Sequence, residues 1–238
     1  IRDCLLSRGL GDVYKRQFII SLLERREKFR TYFSLTINEC IKIGYDSLFI
    51  VSIVSIFMGA VTTIQTAFNL VGPLIPDYVI SLVVRDMTLL ELSPTIIAIV
   101  FAGKVGSNIA GELGTMRITE QIDALEVMGI NTYNYLIFPK IIALLLYPLV
   151  ICISMFLGIF GGYMACVYGG FSTSGEFIQG IQLDFKVFHV VYAYIKTTLF
   201  AFILATIPSY HGFFMKGGAL EVGKASNVSF VWTSIVII

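Results

Sequence analysis

The chain has 238 residues, 56% of them apolar and only 14% charged, with a mean hydropathy of +0.83, whereas a soluble domain carries about a quarter charged residues. So little charge cannot cover a water-facing surface, which excludes an ordinary soluble domain and makes lipid the solvent for much of the chain. The net charge of +1 is by itself uninformative about nucleic acid, but no basic patch interleaved with aromatics stands out, so no nucleic-acid partner is expected.

Residues 1–17 mix charges and glycines without helical periodicity. Their apolar core is too short for a signal peptide, and no small-residue cleavage site follows. The stretch resembles translated sequencing-adapter read-through and is set aside from the fold. Residues 18–44 read as an amphipathic helix, with Arg25, Arg26, Lys28 and Arg30 followed by Phe29, Tyr32, Phe33, Leu35 and Ile37. A basic, aromatic-containing helix suits the cytoplasmic membrane interface. The remainder, 45–238, is read as membrane-spanning.

The first span covers 47–70, with Gly72-Pro73 and Pro76 marking its exit. Residues 77–91, with Arg85 and Asp86, read as an external segment. The second span, 92–111, is interrupted by Lys104. After a polar, helical stretch, 141–166 forms a third span in an uncharged run that ends in a turn at Gly169-Gly170. A fourth, 187–209, contains Lys196. Residues 210–227 read as a polar loop, and a fifth span begins at 228 and stops short of the roughly 20 residues a crossing needs, so it is expected to be incomplete. Lys and Arg decide the orientation. With the N-terminus inside, the cytoplasmic segments hold Arg25, Arg26, Lys28, Arg30, Lys42, Arg117, Lys140, Lys216 and Lys224, and the external ones only Arg85 and Lys186. In the third span Gly158, Gly161 and Gly162 offer a close-approach face to another helix, of this chain or another.

Four cysteines, Cys4, Cys40, Cys152 and Cys166, form no disulfide framework, and two lie in apolar runs where a thiol behaves as a small hydrophobe. Residues 218–225, GALEVGKA, come near the phosphate-loop pattern but end in Ala225, which lacks the hydroxyl for Mg²⁺, and a span rather than a buried strand precedes them. ATP hydrolysis is therefore expected on a separate chain.

The most informative segment is 110–139, AGELGTMRITEQIDALEVMGINTYNYLIFP. Ile118, Ile122, Leu125 and Met128 fall on one helical stripe, Arg117, Glu120, Gln121, Asp123 and Glu126 lie off it, and Gly129 suits a C-terminal cap. Periodicity alone leaves this short helix either a solvated loop helix or a docking element. The run Gly111-Glu-Leu-Gly-Thr-Met116, then Glu120-Gln-Ile-Asp-Ala124, then Leu125-Glu-Val-Met-Gly-Ile130 resembles the signature of the MlaE/YrbE permease family. Gln121 stands where that family has a second Glu, and Lys104 in Ala102-Gly-Lys-Val-Gly106 where it usually has Arg. Phe138-Pro139-Lys140, Ile195-Lys196-Thr197 and Val222-Gly-Lys-Ala-Ser226 extend the resemblance over 18–238.

The resemblance implies an all-α polytopic membrane protein: an interfacial N-terminal helix, five transmembrane helices, and a cytoplasmic coupling helix between spans two and three. It further implies a homodimer in the bacterial inner membrane, working with a cytoplasmic ABC ATPase and an MCE-domain protein to move phospholipid or another lipid between two membranes. Glu120, Gln121, Asp123, Ala124 and Glu126 would meet the ATPase.

Charges inside spans are costly and usually face a cavity or a partner. Lys104 either snorkels to the interface or faces the pathway. Lys196, nearer mid-span, is expected to face a cavity and meet a lipid phosphate, and Glu112, eight residues after Lys104, to balance charge at the cavity floor. A membrane enzyme fits poorly, because His189 and His211 lie roughly 30 Å apart along one helix and cannot share a metal. No catalytic group, cofactor or metal is expected. A secondary transporter or channel is the other alternative, but five unequal spans do not divide into inverted halves.

Overall fold

The computed structural model describes residues 29–70 and 76–238, and within them every regular element is helical. Residues 1–28, including Arg25, Arg26 and Lys28 of the expected interfacial helix, and Gly72-Pro73 of the expected exit turn lie outside the described residues. With no water in a bilayer core to satisfy backbone groups, a helix that closes its own hydrogen bonds is the form an apolar chain can take. Four helical runs among the described residues are long and apolar enough to cross a membrane: Phe33–Asn69, Tyr78–Ile118, Tyr133–Tyr168 and Val187–Phe213.

The first run joins α1 (Phe29–Cys40) to α2 (Asp46–Asn69) through a π-helical turn at Ile41–Tyr45. The second begins at Tyr78, whereas the sequence reading placed a span start at 92 and left Arg85 and Asp86 in an external segment. It comprises α3 (Tyr78–Met87), a π-helical stretch Thr88–Ile96, α4 (Ile97–Phe101), a π turn Ala102–Gly106 and α5 (Ser107–Ile118). Pro94, which has no N–H to donate, sits in the long π stretch. Arg85 is 2% exposed and donates to the Ile181 and Leu183 carbonyls at 2.7 Å each. It belongs to the buried face of α3 together with Ile80, Ser81 and Val84. A single buried arginine is invisible to a hydropathy pattern, which scores it as a water-facing residue.

The short helix α6 (Gln121–Val127) leads to the third run, a π turn Tyr133–Ile137, α7 (Phe138–Leu144) and α8 (Tyr147–Tyr168). Pro139 and Pro148 occupy the first turns of α7 and α8, where a missing N–H costs nothing. Helix α9 (Ser174–Gln182) packs on α3, α10 (Val187–Phe213) is the fourth run, and α11 (Ala219–Ile237) follows. The helix α11 starts at Ala219, inside the stretch read as a polar loop, and packs with α10 and α5.

The tightest packing joins α2 to α8. A Cβ on Gly59 would land on the carbonyl oxygen of Gly158, and one on Gly161 on the carbonyl of Ile56. Close approach of small residues of this kind is how helices associate where lipid removes the hydrophobic drive. The partner of the Gly158, Gly161 and Gly162 face is thus α2 of the same chain. Ser55 and Ser154 exchange a 2.8 Å hydroxyl hydrogen bond across the same contact.

Candidate functional site

The helix α6 is set off from α5 by Glu120, whose left-handed φ of 57° breaks the chain direction. Its far end closes with Gly129 at φ 77°. There Ile130 N–H donates to Leu125 O at 3.1 Å and Gly129 N–H to Glu126 O at 2.9 Å, the paired bonds of a Schellman stop. Ile122 is fully buried and roots the helix. The remaining surface is open: Gln121, Asp123, Ala124 and Glu126 are exposed, as are Val127 and Met128. Asp123 pairs with Arg117 at 2.7 Å, so part of its charge is already engaged. The five residues singled out in the sequence therefore share one short, capped helix that presents acidic and apolar groups together.

At the nearby end of the second and third runs lies an ion network that the sequence reading missed. Lys140, 3% exposed, donates to Glu112 Oε2 at 2.7 Å and to Glu39 Oε1 at 2.9 Å. The other oxygen of Glu112 accepts from Lys42 at 2.8 Å. A buried ammonium demands such compensation. The network ties α1 and the first π turn to α5 and α7. Glu112 thus balances charge, though not that of Lys104, eight residues before it. Lys104 donates instead to the backbone carbonyl of Asp46, and Glu112 is taken by Lys42 and Lys140. The π turn at Ala102–Gly106 accounts for this, because the extra residue in a π turn shifts the facing of every side chain around it.

Lys196 lies in α10, its side chain 19% exposed, with Nζ 3.1 Å from Glu91 Oε2 and 3.2 Å from Leu90 O. The ammonium also stands 5.9 Å from the ring centroid of Phe200, within cation–π range. Glu91 sits in the π-helical stretch Thr88–Ile96 and is mostly exposed. Lys42, Glu91 and Lys104 are thus all carried by π-helical segments, where a side chain leaves the regular helix face. Lys104, Glu112 and Lys196 do not form one cluster; each is bound to different partners.

A second polar assembly, at the end where α3 meets α9, joins Arg85 to Asp86 at 2.8 Å, and Asp86 to His189 at 3.6 Å. The phosphate-loop-like residues, by contrast, form the first turns of α11 after Gly218, with Glu221 and Lys224 paired at 2.7 Å. A helix there cannot wrap a phosphate chain as a loop does.

Comparison with known proteins fits this architecture. The chain is 34% identical over 208 residues to a "Probable ABC transporter permease protein" of Rickettsia bellii, covering 87% of this chain and 80% of that one. It is 32% identical over 203 residues to a protein of the same description from Synechocystis, covering 85% and 77%. To the "Intermembrane phospholipid transport system permease protein MlaE" of Haemophilus influenzae it is 26% identical over 215 residues, covering 90% and 82%. The profile of the family described as "Permease MlaE" matches residues 36–238, and the chain belongs to that family of ABC-transporter permeases.

Proposed function

We propose that the chain is the membrane-spanning subunit of an ATP-driven transporter that moves lipid, in first place phospholipid, between the inner and outer membranes of a bacterial envelope. In this reading α11 is a fifth crossing: its 19 residues reach roughly 28 Å at 1.5 Å per residue, close to the hydrocarbon core of about 30 Å. The N-terminus is cytoplasmic, two copies pair, an ABC ATPase seats on α6, and an MCE-domain protein binds on the opposite side. The observation that carries the reading is α6. It is rooted by Ile122, set off by the left-handed Glu120 and closed at Gly129, and it joins two long helical runs while exposing Gln121, Asp123, Ala124 and Glu126. A rigid element between two spans can pass motion from a bound partner into both, provided the partner binds two permease states unequally.

Lys196 is the residue proposed to meet substrate. Its ammonium is paired with the exposed carboxylate of Glu91, so a lipid phosphate that displaces this carboxylate keeps the ammonium paired. Lys104, held on Asp46, and Glu112, held between Lys42 and Lys140, support the pathway's cytoplasmic end. The test is co-purification with the neighbouring ATPase and MCE-domain proteins, followed by mass spectrometry of extracted lipid. A complex carrying phospholipid that dissociates on charge reversal at Glu120 and Asp123 is expected. A chain that purifies alone, lipid-free and indifferent to those changes, would point to a partner-independent carrier.

A further inference from the structure

We infer that the groove between the α1–α2 elbow and the start of α8 is a binding site for one acyl chain of a membrane lipid, separate from the transport pathway at Lys196. The groove encloses about 480 Å³, within the roughly 300–1,000 Å³ of small-molecule sites. Phe101, Leu144 and Tyr147, each 2% exposed or less, form its floor. Ile41, Tyr45 and Leu149 stand at its lip, 59%, 75% and 60% exposed.

Three features choose an acyl chain as the occupant. No lining residue is charged, and the polar side-chain groups among them are the Tyr45 and Tyr147 hydroxyls and the Cys40 thiol, the Tyr147 hydroxyl already donating to Pro94 O at 3.2 Å. A groove made for a soluble partner has a polar rim. The wall from Ile37 to Leu48 runs roughly 16 Å at 1.5 Å per residue, long enough to lie along one acyl chain. Finally, the groove opens because the π turn Ile41–Tyr45 carries Gly44, where an added Cβ would meet nothing within 4 Å. The missing side chain leaves room beside the elbow, and Tyr45 next to it is a residue type that favours the interface. The bound chain fills the space between α1 and α8 and steadies the elbow that the Lys42–Glu112–Lys140 network holds on its polar side.

This inference requires only that the chain sits in a membrane and stands whether or not lipid is transported. The unsubstituted protein is reconstituted in phosphatidylcholine and phosphatidylglycerol vesicles containing a phospholipid with a diazirine in its acyl chain, then irradiated, digested and mapped. Adducts at residues 40–49 and 144–153 are expected severalfold above those on the equally exposed apolar residues Phe57, Phe156 and Phe202. Gly44→Trp, which places a ring in the open space, is expected to cut the groove adducts severalfold and leave the others unchanged. Leu149→Trp does the same from the opposite wall should Gly44→Trp fold poorly. Adducts spread evenly over all apolar faces overturn the site, as do groove residues cross-linked to a second copy of the chain, or adducts that persist in either folded Trp variant.

Discussion

The ammonium of Lys140 lies 2.7 Å from Glu112 while its side chain is only 4% exposed. Glu39 completes its shell at 2.9 Å. Removing the cation leaves two partly buried carboxylates facing each other, and breaking a buried pair from one side is strongly destabilising. Lys140→Met is expected to lower stability by on the order of 3 kcal/mol, read as earlier thermal unfolding in detergent. Adding Glu39→Gln should recover part of the loss, because Lys42 still balances Glu112 whereas Glu39 has lost its cation. A double variant that is worse than the single one by the full cost of each would mean the two residues do not act as a pair.

Gly59 faces Gly158 so closely that a methyl group has no room. Gly59→Ala must push α2 from α8 and is expected to cost on the order of 1–3 kcal/mol or more. Gly44→Ala meets nothing within 4 Å, so it should instead gain roughly 0.5–1 kcal/mol from reduced backbone entropy in the unfolded chain. Fluorescence-detected size exclusion after a heating series compares the two. Equal behaviour would show that the α2–α8 contact is looser than the packing indicates.

Apolar, uncharged length was enough to show that long membrane-type helices are present, and the glycine spacing to mark the close-packing face of α8, because each of these is local. The Gly129 cap was readable for the same reason. Of the expected stripe of α6 only Ile122 is buried, since Ile118 ends α5 before the break at Glu120 and Met128 is exposed. What could not be read is non-local. Glu112 meets Lys42 across 70 positions, and Lys140 meets Glu39 across 101. Neither pairing leaves a trace in spacing. That Glu112 balances Lys42 and Lys140 could not be read either, and the π turn at Ala102–Gly106 interrupts the regular helix between Lys104 and Glu112. The burial of Arg85 could not be read because the carbonyls of Ile181 and Leu183 that satisfy it lie 96 and 98 positions away in sequence.

The pairing of Asp123 with Arg117 is half exposed, and exposed ion pairs contribute about 0–1 kcal/mol. Asp123→Ala should therefore leave thermal stability nearly unchanged. If α6 is the ATPase seat, the same substitution together with Val127→Asp, at a position 89% exposed, should weaken ATPase capture at least tenfold while the permease stays folded. Pull-down with purified ATPase at two salt concentrations reads this out. Undiminished capture would move the docking surface elsewhere.

The helix α9 begins with a carboxylate in a defined role. Glu176 accepts from the Thr173 hydroxyl at 2.7 Å and from the Thr173 N–H at 2.9 Å. These bonds, the hydroxyl one first, hold its carboxyl below the usual carboxylate range. A folded-state pKa below the unfolded one means that the stabilisation is complete above the unfolded value and is lost as pH falls through the folded one. Hydrogen exchange of 174–182 should thus accelerate as pH drops below the usual carboxylate range, once corrected for intrinsic rates, and Glu176→Gln should abolish that dependence. Thr173→Ala should open the helix by about 1 kcal/mol at neutral pH. A pH response that survives Glu176→Gln would place its origin in another group.

Lys196 offers the sharpest separation of charge from structure. Its aliphatic stem packs within α10 while the ammonium meets Glu91, the Leu90 carbonyl and the Phe200 ring. Lys196→Met keeps the stem and removes the charge, and Lys196→Arg keeps the charge but changes its shape. Because Glu91 is two-thirds exposed and Lys140 is only 4% exposed, losing the Lys196 charge should cost less stability than losing that of Lys140. If Lys196 receives a lipid phosphate, the Met variant should assemble with its partners yet lose most lipid transport in proteoliposomes, and the Arg variant should retain a substantial part. Glu91→Gln then distinguishes two roles. A carboxylate that merely parks the lysine between lipids can be removed with transport retained, whereas one that must re-bind the ammonium to release the phosphate cannot. Equal transport by Lys196→Met and the unsubstituted protein would remove Lys196 from the pathway and leave it a structural tie between α10 and the π-helical stretch Thr88–Ile96.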